Sequence, residues 1–290
     1  MNKHRLYHPL TATPFKKNNV YQEIEPSEQL QPYIRCFWGT EKPYRVENKT
    51  AEPEIIIPDT CVDIIYNIDY TDNTVFGGFY GANDQSIYVQ EGMPSGHMTA
   101  AFAIRFYPWG AYAYSEDSFN TTMGRICEVG ERFEWLDRYI RPKLLELKTL
   151  QEKVAYTEKL FADRMQHVRE NKIVNDAMNC ILVNRGALEI SDLTKEVFVS
   201  GRQLERLFHE YMGITPKKLS NLIRYQFLWR DVVCDPNFCI LDAVHKYAYA
   251  DQSHLLREFK KYHSMDINSA RTLALKKVEN IQDIRNRDSV

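Results

Sequence analysis

The chain has 290 residues, of which 44% are hydrophobic and 26% are charged, and its formal net charge is −2. This length exceeds what one compact core usually organises, so we predict two domains. The composition excludes a disordered chain, and no window holds the roughly 18 apolar residues that a membrane-spanning helix needs. We therefore expect a globular protein with no membrane partner.

Targeting and cysteine patterns exclude two further classes of protein. Early positive charge in MNKHRLYHPL is not followed by an apolar stretch, so a secretion signal is not predicted and a cytoplasmic location is expected. The six cysteines form no CxxC motif and no cysteine pair combined with HxxxH, which argues against a zinc module and a disulfide framework. We predict no metal site and no cofactor.

The segment from about 30 to 104 predicts several short strands without intervening helices, which favours a β-sandwich or barrel. Its apolar stretches, separated by Pro, Gly, Asn and Asp, are YIRCFWGT, EIIIPDTCVDIIYNI, NTVFGGFYG, QSIYVQ and MTAAFAIRFYP. Helical spacing follows over 111–119, 130–140 and 141–168. The last of these carries an apolar stripe, including Leu144, Leu150 and Val154, that is either a core face or a dimer seam.

Beyond about residue 170 the periodicity predicts helices at 190–197, 200–212, 217–233, 240–247 and 251–262, and a closing helix from about 268. A short helix, a turn of about three residues and a second helix occur twice, and the second helices begin 51 residues apart, as SGRQLERLF and DQSHLLREF. We predict an α+β chain with a β-rich N-terminal domain and trailing helices at 1–168. An all-α domain at 169–276 would hold two helix-turn-helix units joined by a linker helix, and a frayed tail would follow at 277–290.

The second helix of each unit has the composition of a recognition helix for the DNA major groove. Ser200 and Asp251 are predicted N-caps, and apolar side chains anchor each helix. Arginine pairs bidentately with guanine and glutamine with adenine, while serine and histidine reach phosphates or base edges. The alternative is a solvated helix face with local ion pairs. We predict contacts with double-stranded DNA, in successive major grooves, from Ser200, Arg202, Gln203, Arg206, Gln252, Ser253, His254, Arg257 and Lys260.

At these residues the chain resembles the DNA-binding domain of the AraC/XylS family of bacterial transcription regulators. The first unit, SDLTKEVFVSGRQLERLFHEYMGITPKKLSNLIRYQ, follows the family pattern closely, including Gly213 to Pro216 and Arg224. The second unit keeps the family residues at Ile240, Asp251, Ser253, Arg257, Phe259, Lys260 and Arg271.

The second unit departs from the family pattern at three places. Ala248-Tyr249 replaces Gly-Phe at the turn, Ser264 replaces the Gly after the recognition helix, and Ile267 replaces Pro. Replacing Gly at a left-handed position costs about 1 kcal/mol, so we expect the first unit to dominate specificity. Whether the second unit reads bases specifically stays open.

The N-terminal region resembles a cupin-like β-barrel module that precedes this DNA-binding domain. The residues that carry this resemblance are Tyr33-Ile34, Phe37-Trp38, Ile57-Pro58-Asp59, Asp63-Ile64-Ile65, Gly77-Gly78 and Ala103 to Phe106. The metal-binding cupin pattern of HxH with a nearby Glu is absent. Asp59, Asp63 and Arg105 are predicted to line a ligand pocket, although a turn aspartate and a structural salt bridge explain them equally well.

The sequence thus predicts a non-enzymatic, sequence-specific transcription regulator whose N-terminal domain senses a small ligand or mediates assembly. One alternative is a regulator controlled only by protein-protein association. Another is a sensor that accepts alkyl groups on a cysteine, although Cys36 and Cys61 have no nearby cysteine or histidine in sequence. This prediction implies RNA polymerase as a partner if the protein is an activator. Whether the protein forms a homodimer, which effector it binds and which genes it controls stay open.

Overall fold

The strands in the first half of the chain pair in the antiparallel sense. The computed structural model describes residues 3–14, 21–47, 53–89 and 92–276; the tail at 277–290, predicted to fray, lies outside them. The strands are β1 (Tyr21–Ile24), β2 (Ile34–Thr40), β3 (Tyr44–Arg45), β4 (Glu54–Ile56), β5 (Val62–Asp69), β6 (Thr74–Tyr80), β7 (Ile87–Val89), β8 (Met98–Phe106) and β9 (Ile126–Glu128).

These strands form one large sheet and one small ribbon. The large sheet has the order β1-β2-β8-β5-β6-β9, with β3 also paired to β8, and β4 pairs with β7. The predicted antiparallel β-sheet domain is confirmed, whereas its cupin-like closure stays a prediction. The sequence did not predict β1, β3 and β9, which have two to four residues each.

The helices of the N-terminal half match the prediction at 130–140 and are otherwise shorter than predicted. They are α1 (Lys3–Leu6), α2 (Ala111–Tyr114), α3 (Gly130–Ile140) and α4 (Leu150–Arg164). The predicted helix at 111–119 therefore ends at Tyr114. The predicted helix at 141–168 is wrong as a single element: a 3-10 turn occupies Arg141–Lys143, and α4 begins only after Thr149, whose side chain accepts a hydrogen bond from the Glu152 amide. A local capping box therefore sets the start of α4.

The two faces of the large sheet have different neighbours. Phe37 and Ile104 are register partners on one face and lie in an apolar core that includes side chains of α3 and α4. Leu144, Leu150 and Val154 are buried in the same core, so the apolar stripe is a core face. On the opposite face, Asp63 of β5 lies beside Arg105 of β8, because side chains alternate along a strand.

The C-terminal half is helical and follows the predicted order. Its helices are α5 (Lys172–Val183), α6 (Ile190–Glu196), α7 (Gly201–Met212), α8 (Pro216–Cys234), α9 (Ile240–Lys246), α10 (Gln252–His263) and α11 (Ile267–Leu275). Thr215 caps α8, and Pro216 stands in its first turn, where a missing amide hydrogen costs nothing. Within the described ranges, no helix combines the length and apolar content needed to cross a membrane.

Residues 3–14 pack against the linker helix α8 of the C-terminal half. The buried Gln226 side chain accepts a hydrogen bond from the Leu10 amide at 2.8 Å and donates to the Pro58 carbonyl at 2.7 Å. The Trp229 indole donates to the Thr11 carbonyl at 2.9 Å. The apolar core of the C-terminal half therefore continues into Tyr7 and other N-terminal residues, across the domain boundary predicted at 168.

The core around α8 contains a fully buried histidine at the end of α10. His263 stacks on Phe259 with ring centroids 4.9 Å apart, and its Nδ1 lies 2.8 Å from the Tyr225 hydroxyl. Burial lowers the pKa of the His263 imidazole to about 4. The folded state therefore holds this histidine neutral at a pH where the unfolded chain takes up a proton.

We expect the free energy of unfolding to fall by on the order of 2 kcal/mol as the pH is lowered from about 6.5 to about 4. In this window the unfolded state gains a proton at His263 and the folded state does not, so acid favours unfolding. Urea titrations at several pH values would measure the slope. His263→Phe keeps the ring stack and should lack this component; parallel pH profiles for wild type and variant would contradict the assignment.

Candidate nucleic-acid interface

Both helix-turn-helix units make their turn with the same backbone hydrogen bonds. After α6, the Val199 amide donates to the Thr194 carbonyl at 3.2 Å and the Phe198 amide to the Lys195 carbonyl at 3.3 Å. After α9, Tyr249 donates to the Val244 carbonyl at 2.9 Å and Ala248 to the His245 carbonyl at 3.3 Å. These pairs define Schellman motifs, whose residue after the C-cap adopts a left-handed conformation. Phe198 has φ of +53° and Ala248 has φ of +51°.

The two turns differ in length by one residue. The left-handed residue Phe198 stands two positions before the N-cap Ser200, whereas Ala248 stands three positions before the N-cap Asp251. The recognition helices are therefore 51 residues apart, while the preceding helices α6 and α9 begin 50 residues apart. The second unit thus has more backbone between its two helices.

Recognition helix α7 exposes the polar side chains that the sequence singled out. Ser200 caps it, with its Oγ accepting a hydrogen bond from the Gln203 amide at 3.2 Å. Arg202, Gln203 and Arg206 are exposed, while the apolar anchors Leu204, Leu207 and Phe208 are buried. Arg206 is 69% exposed, and its guanidinium lies 3.8 Å from the Glu210 carboxylate. A long, solvent-exposed ion pair of this kind contributes little free energy, so Arg206 can leave Glu210 for a DNA contact at little cost.

Recognition helix α10 exposes most, but not all, of its predicted contacts. Asp251 caps it, with Oδ1 accepting from the His254 amide at 2.7 Å. Gln252, Ser253, Arg257 and Lys260 are exposed. His254 is only half-buried, with its ring edge-on to Tyr249 at 5.3 Å and its Nε2 3.9 Å from the Glu258 carboxylate. His254 therefore has partners within its own unit.

An ion pair that was not predicted from the sequence joins α10 to α8. Arg224 of α8 donates to both carboxylate oxygens of Glu258, at 2.8 and 2.9 Å, and each side chain is only 11% exposed. Tyr249 donates to the same carboxylate at 2.8 Å, and its ring lies 4.3 Å from the guanidinium. Arg224 stood in the family motif, but its partner is 34 residues away and is set by the packing of two helices.

The three departures in the second unit occupy the expected backbone positions. Ser264 has φ of +62° after α10, where Gly213 has +70° after α7. Ile267 takes the first position of α11, which Asp266 caps by accepting from the Ser269 amide at 3.0 Å. The fold of the second unit therefore survives these replacements, at the cost of two non-glycine residues in left-handed conformations.

The predicted ligand residues form a closed ion-pair cluster. Arg105 donates to Asp63 through Nε at 2.9 Å and through Nη2 at 3.1 Å, and its Nη1 lies 3.2 Å from Asp59. Trp38 donates to Asp63 at 3.0 Å, and the Cys61 amide donates to Asp59 at 3.0 Å. The structure brings all three predicted residues together, in the arrangement of a structural salt bridge. Their role in ligand binding stays a prediction.

Burial and charge act in opposite directions within this cluster. Burial raises the pKa of Asp59, and Arg105 acts against that rise. Burial by itself would lower the pKa of Arg105, but Asp63 and Asp59 outweigh it and hold that pKa well above its ordinary value. The guanidinium therefore stays charged and neutralises one of the two carboxylates.

The two cysteines considered as alkyl acceptors lie in surroundings that disfavour the thiolate form. Cys36 and Cys61 are both buried. Burial raises the pKa of the Cys36 thiol to about 12 and raises that of Cys61 well above its ordinary value. Because the thiolate is the nucleophile in such chemistry, these environments oppose the alternative.

A cavity of about 130 Å³ lies where the N-terminal half meets the C-terminal helices. Aromatic walls come from Tyr33, Trp109 and Tyr211, and charged groups come from Lys3, Arg169 and Glu170. The Glu170 carboxylate accepts a hydrogen bond from the Tyr33 hydroxyl at 2.8 Å. The lining is more polar than apolar, and the volume is smaller than the roughly 300–1,000 Å³ of typical small-molecule sites. Sequence reasoning missed this site, because its walls come from segments far apart in the chain.

One group of possible metal ligands occurs among the described residues. Ligand atoms of Asp69, Asp72 and His97 lie within 4.8 Å of one another. Asp69 already accepts from the amides of Thr71 and Asp72 and contacts His97 Nδ1 at 2.7 Å. A turn-forming aspartate paired with a histidine accounts for this arrangement without an ion.

The left-handed alanine offers a direct test of the turn in the second unit. We expect Ala248→Gly to raise the free energy of unfolding by about 0.5–1 kcal/mol, because glycine adopts φ of +51° without a Cβ clash. Thermal or denaturant unfolding would measure this. The neighbouring substitution Ala250→Gly is the matched control and should give no gain; equal effects of the two changes would contradict the role given to Ala248.

Comparison with known proteins gives two family matches and several distant structural similarities. Residues 22–128 match a family described as a domain of unknown function (DUF6597), and residues 193–272 match a helix-turn-helix domain family. A search of curated proteins gave no match.

The similar solved structures are of ToxT from Vibrio cholerae. They include the apo form of a ToxT variant from strain SCE256, at 12% identity over 87% of this chain and 100% of that chain, with a TM-score of 0.38. They also include wild-type ToxT from that strain with a bound unsaturated fatty acid, at 9% identity over 89% and 100%, with a TM-score of 0.39. A third is ToxT from strain O395, at 12% identity over 82% and 98%, with a TM-score of 0.38.

The profile match at 193–272 covers α7, α8 and α10, the helices that carry the exposed polar residues described above. Two capped helices after two Schellman turns, joined by a buried linker helix, are the arrangement that the resemblance implied. The C-terminal region of this chain is therefore a helix-turn-helix domain with the two units that the resemblance to the AraC/XylS family implied, and an antiparallel β-sheet domain precedes it.

Proposed function

We propose that the protein is a sequence-specific, DNA-binding transcription regulator that reads DNA with α7 and α10. The observation that carries this proposal is the exposure of Arg202, Gln203 and Arg206 on the first turns of a capped helix whose other face is buried. Exposed arginine and glutamine at the amino end of a recognition helix can pair bidentately with bases in the major groove.

The linker helix α8 would hold the two recognition helices at a fixed separation. Eleven of its 19 residues are buried, and it packs against α7, α10 and α11. We therefore propose that the two units enter successive major grooves, about 34 Å apart along one face of the duplex. The amino ends of both recognition helices would also attract phosphates through their free amides and dipoles.

The contact between the N-terminal domain and α7 supports control of DNA binding by that domain. The rings of Tyr112 and Tyr211 lie 3.8 Å apart, and the Phe119 amide donates to the Glu210 carbonyl at 2.9 Å. Lys218 of α8 pairs with Asp84 at 2.7 Å. Any movement of this part of the β-rich domain would therefore carry the end of α7 with it.

We propose that a small effector binds more tightly to one arrangement of the contact between the N-terminal domain and α7 than to another. Such a difference in affinity is what any population shift requires. We propose the cavity between the two halves as the place of this effector, because Tyr211, at the end of α7, forms one of its walls; control by protein association alone is the alternative. Further partners in this proposal are a second copy of the chain and, if the protein is an activator, RNA polymerase. With DNA as its target, the protein is proposed to act in the cytoplasm.

Selection of bound sequences from a random duplex library would test the proposal. The full chain, purified, would be used at about 0.15 M salt, where non-specific binding to phosphates is reduced. We expect enrichment of two short motifs about one helical turn apart. Cooperative thermal unfolding would show that the purified protein is folded. If such a protein enriched no sequence, either alone or with a small-molecule extract of cells added, the proposal would be overturned.

Base-reading and phosphate-binding side chains should respond differently to substitution. We expect Arg206→Ala to lose about 1–3 kcal/mol of binding free energy, concentrated at one base position of the operator. Lys260→Ala should weaken binding to all sequences alike and lower the salt dependence by about one counterion. Titrations of single-base operator variants at several salt concentrations would separate the two. Equal, sequence-independent losses from both would contradict the assigned roles.

The Tyr112–Tyr211 contact provides a test of coupling between the domains. We expect Tyr112→Leu and Tyr211→Leu each to weaken operator binding severalfold, because either change loosens α7 while leaving its DNA-facing residues in place. A double-mutant cycle should give a coupling of about 0.5–1.5 kcal/mol in binding. Coupling seen in unfolding but not in DNA binding would show that the contact stabilises the fold without controlling α7.

A further inference from the structure

The turn of the first helix-turn-helix unit places a large aromatic side chain in a costly backbone conformation. Phe198 has φ of +53°, a region that bulky residues rarely adopt. The residue equivalent in the second unit, Ala248, has the same conformation with a side chain of one methyl group. Such outliers persist where the surrounding structure enforces them, and they concentrate at functional sites.

Packing within the chain does not account for the ring. Phe198 is 92% exposed, the highest exposure among the large exposed hydrophobic residues of the described ranges. The backbone hydrogen bonds from Phe198 and Val199 hold the turn, and they involve no side-chain atoms. The left-handed backbone of Phe198 and the exposure of its ring to water both cost free energy, and no contact of the ring within the chain offsets these costs.

The ring stands at the edge of the surface proposed to face DNA. Phe198 precedes the N-cap Ser200 by two residues and the exposed Arg202 by four. Lys195, three residues earlier, is exposed and pairs with Asp192 at 2.8 Å. The ring thus lies two residues before the amino end of a recognition helix, where free backbone amides attract phosphates, so a duplex bound to α7 would pass beside it.

We propose that Phe198 contacts DNA, by packing against the C5-methyl group of a thymine at the edge of the site read by α7. Thymine is the only base that offers a methyl group in the major groove, and apolar side chains, phenylalanine included, recognise it. The inference rests on the proposed function. It adds a specificity contact from the turn itself, outside the helix whose polar residues the sequence pointed to.

The test compares Phe198→Gly with Ala248→Gly on the operator obtained by selection. Both changes place glycine at the same backbone position of a Schellman turn, but only the first removes an aromatic ring. We expect Phe198→Gly to unfold at the same temperature as wild type or higher, and to bind the operator about tenfold more weakly. Ala248→Gly should bind with the affinity of the wild-type protein.

Replacing single thymines by deoxyuracil would then locate the contact, because this removes the methyl group and leaves the base pair intact. We expect one replacement to weaken wild-type binding severalfold and to leave the binding of Phe198→Gly unchanged. If wild type bound no specific sequence, the proposed function itself would fail.

Two other outcomes would overturn this inference alone. Full operator affinity of Phe198→Gly would exclude a DNA contact and would leave the ring as a surface for a protein partner such as RNA polymerase. A loss of affinity that no deoxyuracil replacement reproduces would exclude the thymine methyl group as the contact.

Discussion

The burial of α8 is the constraint on which the rest of the structure depends. This helix has apolar residues on nearly all of its sides, and it meets the first unit, the second unit and the N-terminal segment along its length. Trp229 is fully buried and contacts Phe259 and His263 of the second unit and the Thr11 carbonyl of the N-terminal segment. A helix enclosed in this way cannot tilt towards one neighbour without opening a void beside another, because protein interiors are closely packed.

Polar groups within this packing restrict it to one arrangement. The Gln226 amide is paired with backbone groups of Leu10 and Pro58, and Arg224 is paired with Glu258. Removing one partner from a buried pair of this kind leaves the other unsatisfied, which costs more than the pair contributes. The polar contacts of α8 therefore disfavour shifted packings of the same apolar surfaces. Because both recognition helices pack on α8, their positions are restricted as well.

The C-terminal helices were predictable to within one or two residues, because their boundaries are set locally. Ser200, Thr215 and Asp251 each cap a helix through their own side chains, and these signals can be read without knowing the fold. Short strands such as β1 and β9 carry no such signal, since they exist through pairing with a distant strand. The same limit applies at the site: exposure of α7 follows from periodicity, whereas the half-burial of His254 follows from the Glu258 and Tyr249 side chains around it.

The packing of residues 3–14 on α8 has a consequence for biosynthesis. The partners joined by the Leu10–Gln226 and Thr11–Trp229 hydrogen bonds are 216 and 218 residues apart. During translation, residues 3–14 leave the ribosome more than 200 residues before their binding surface on α8 has been made. The β-sheet domain can fold in that interval, since domains fold largely as units in N-terminal to C-terminal order. Docking of residues 3–14 on α8 is then a late event, which follows the synthesis of α8 and the folding of the β-sheet domain.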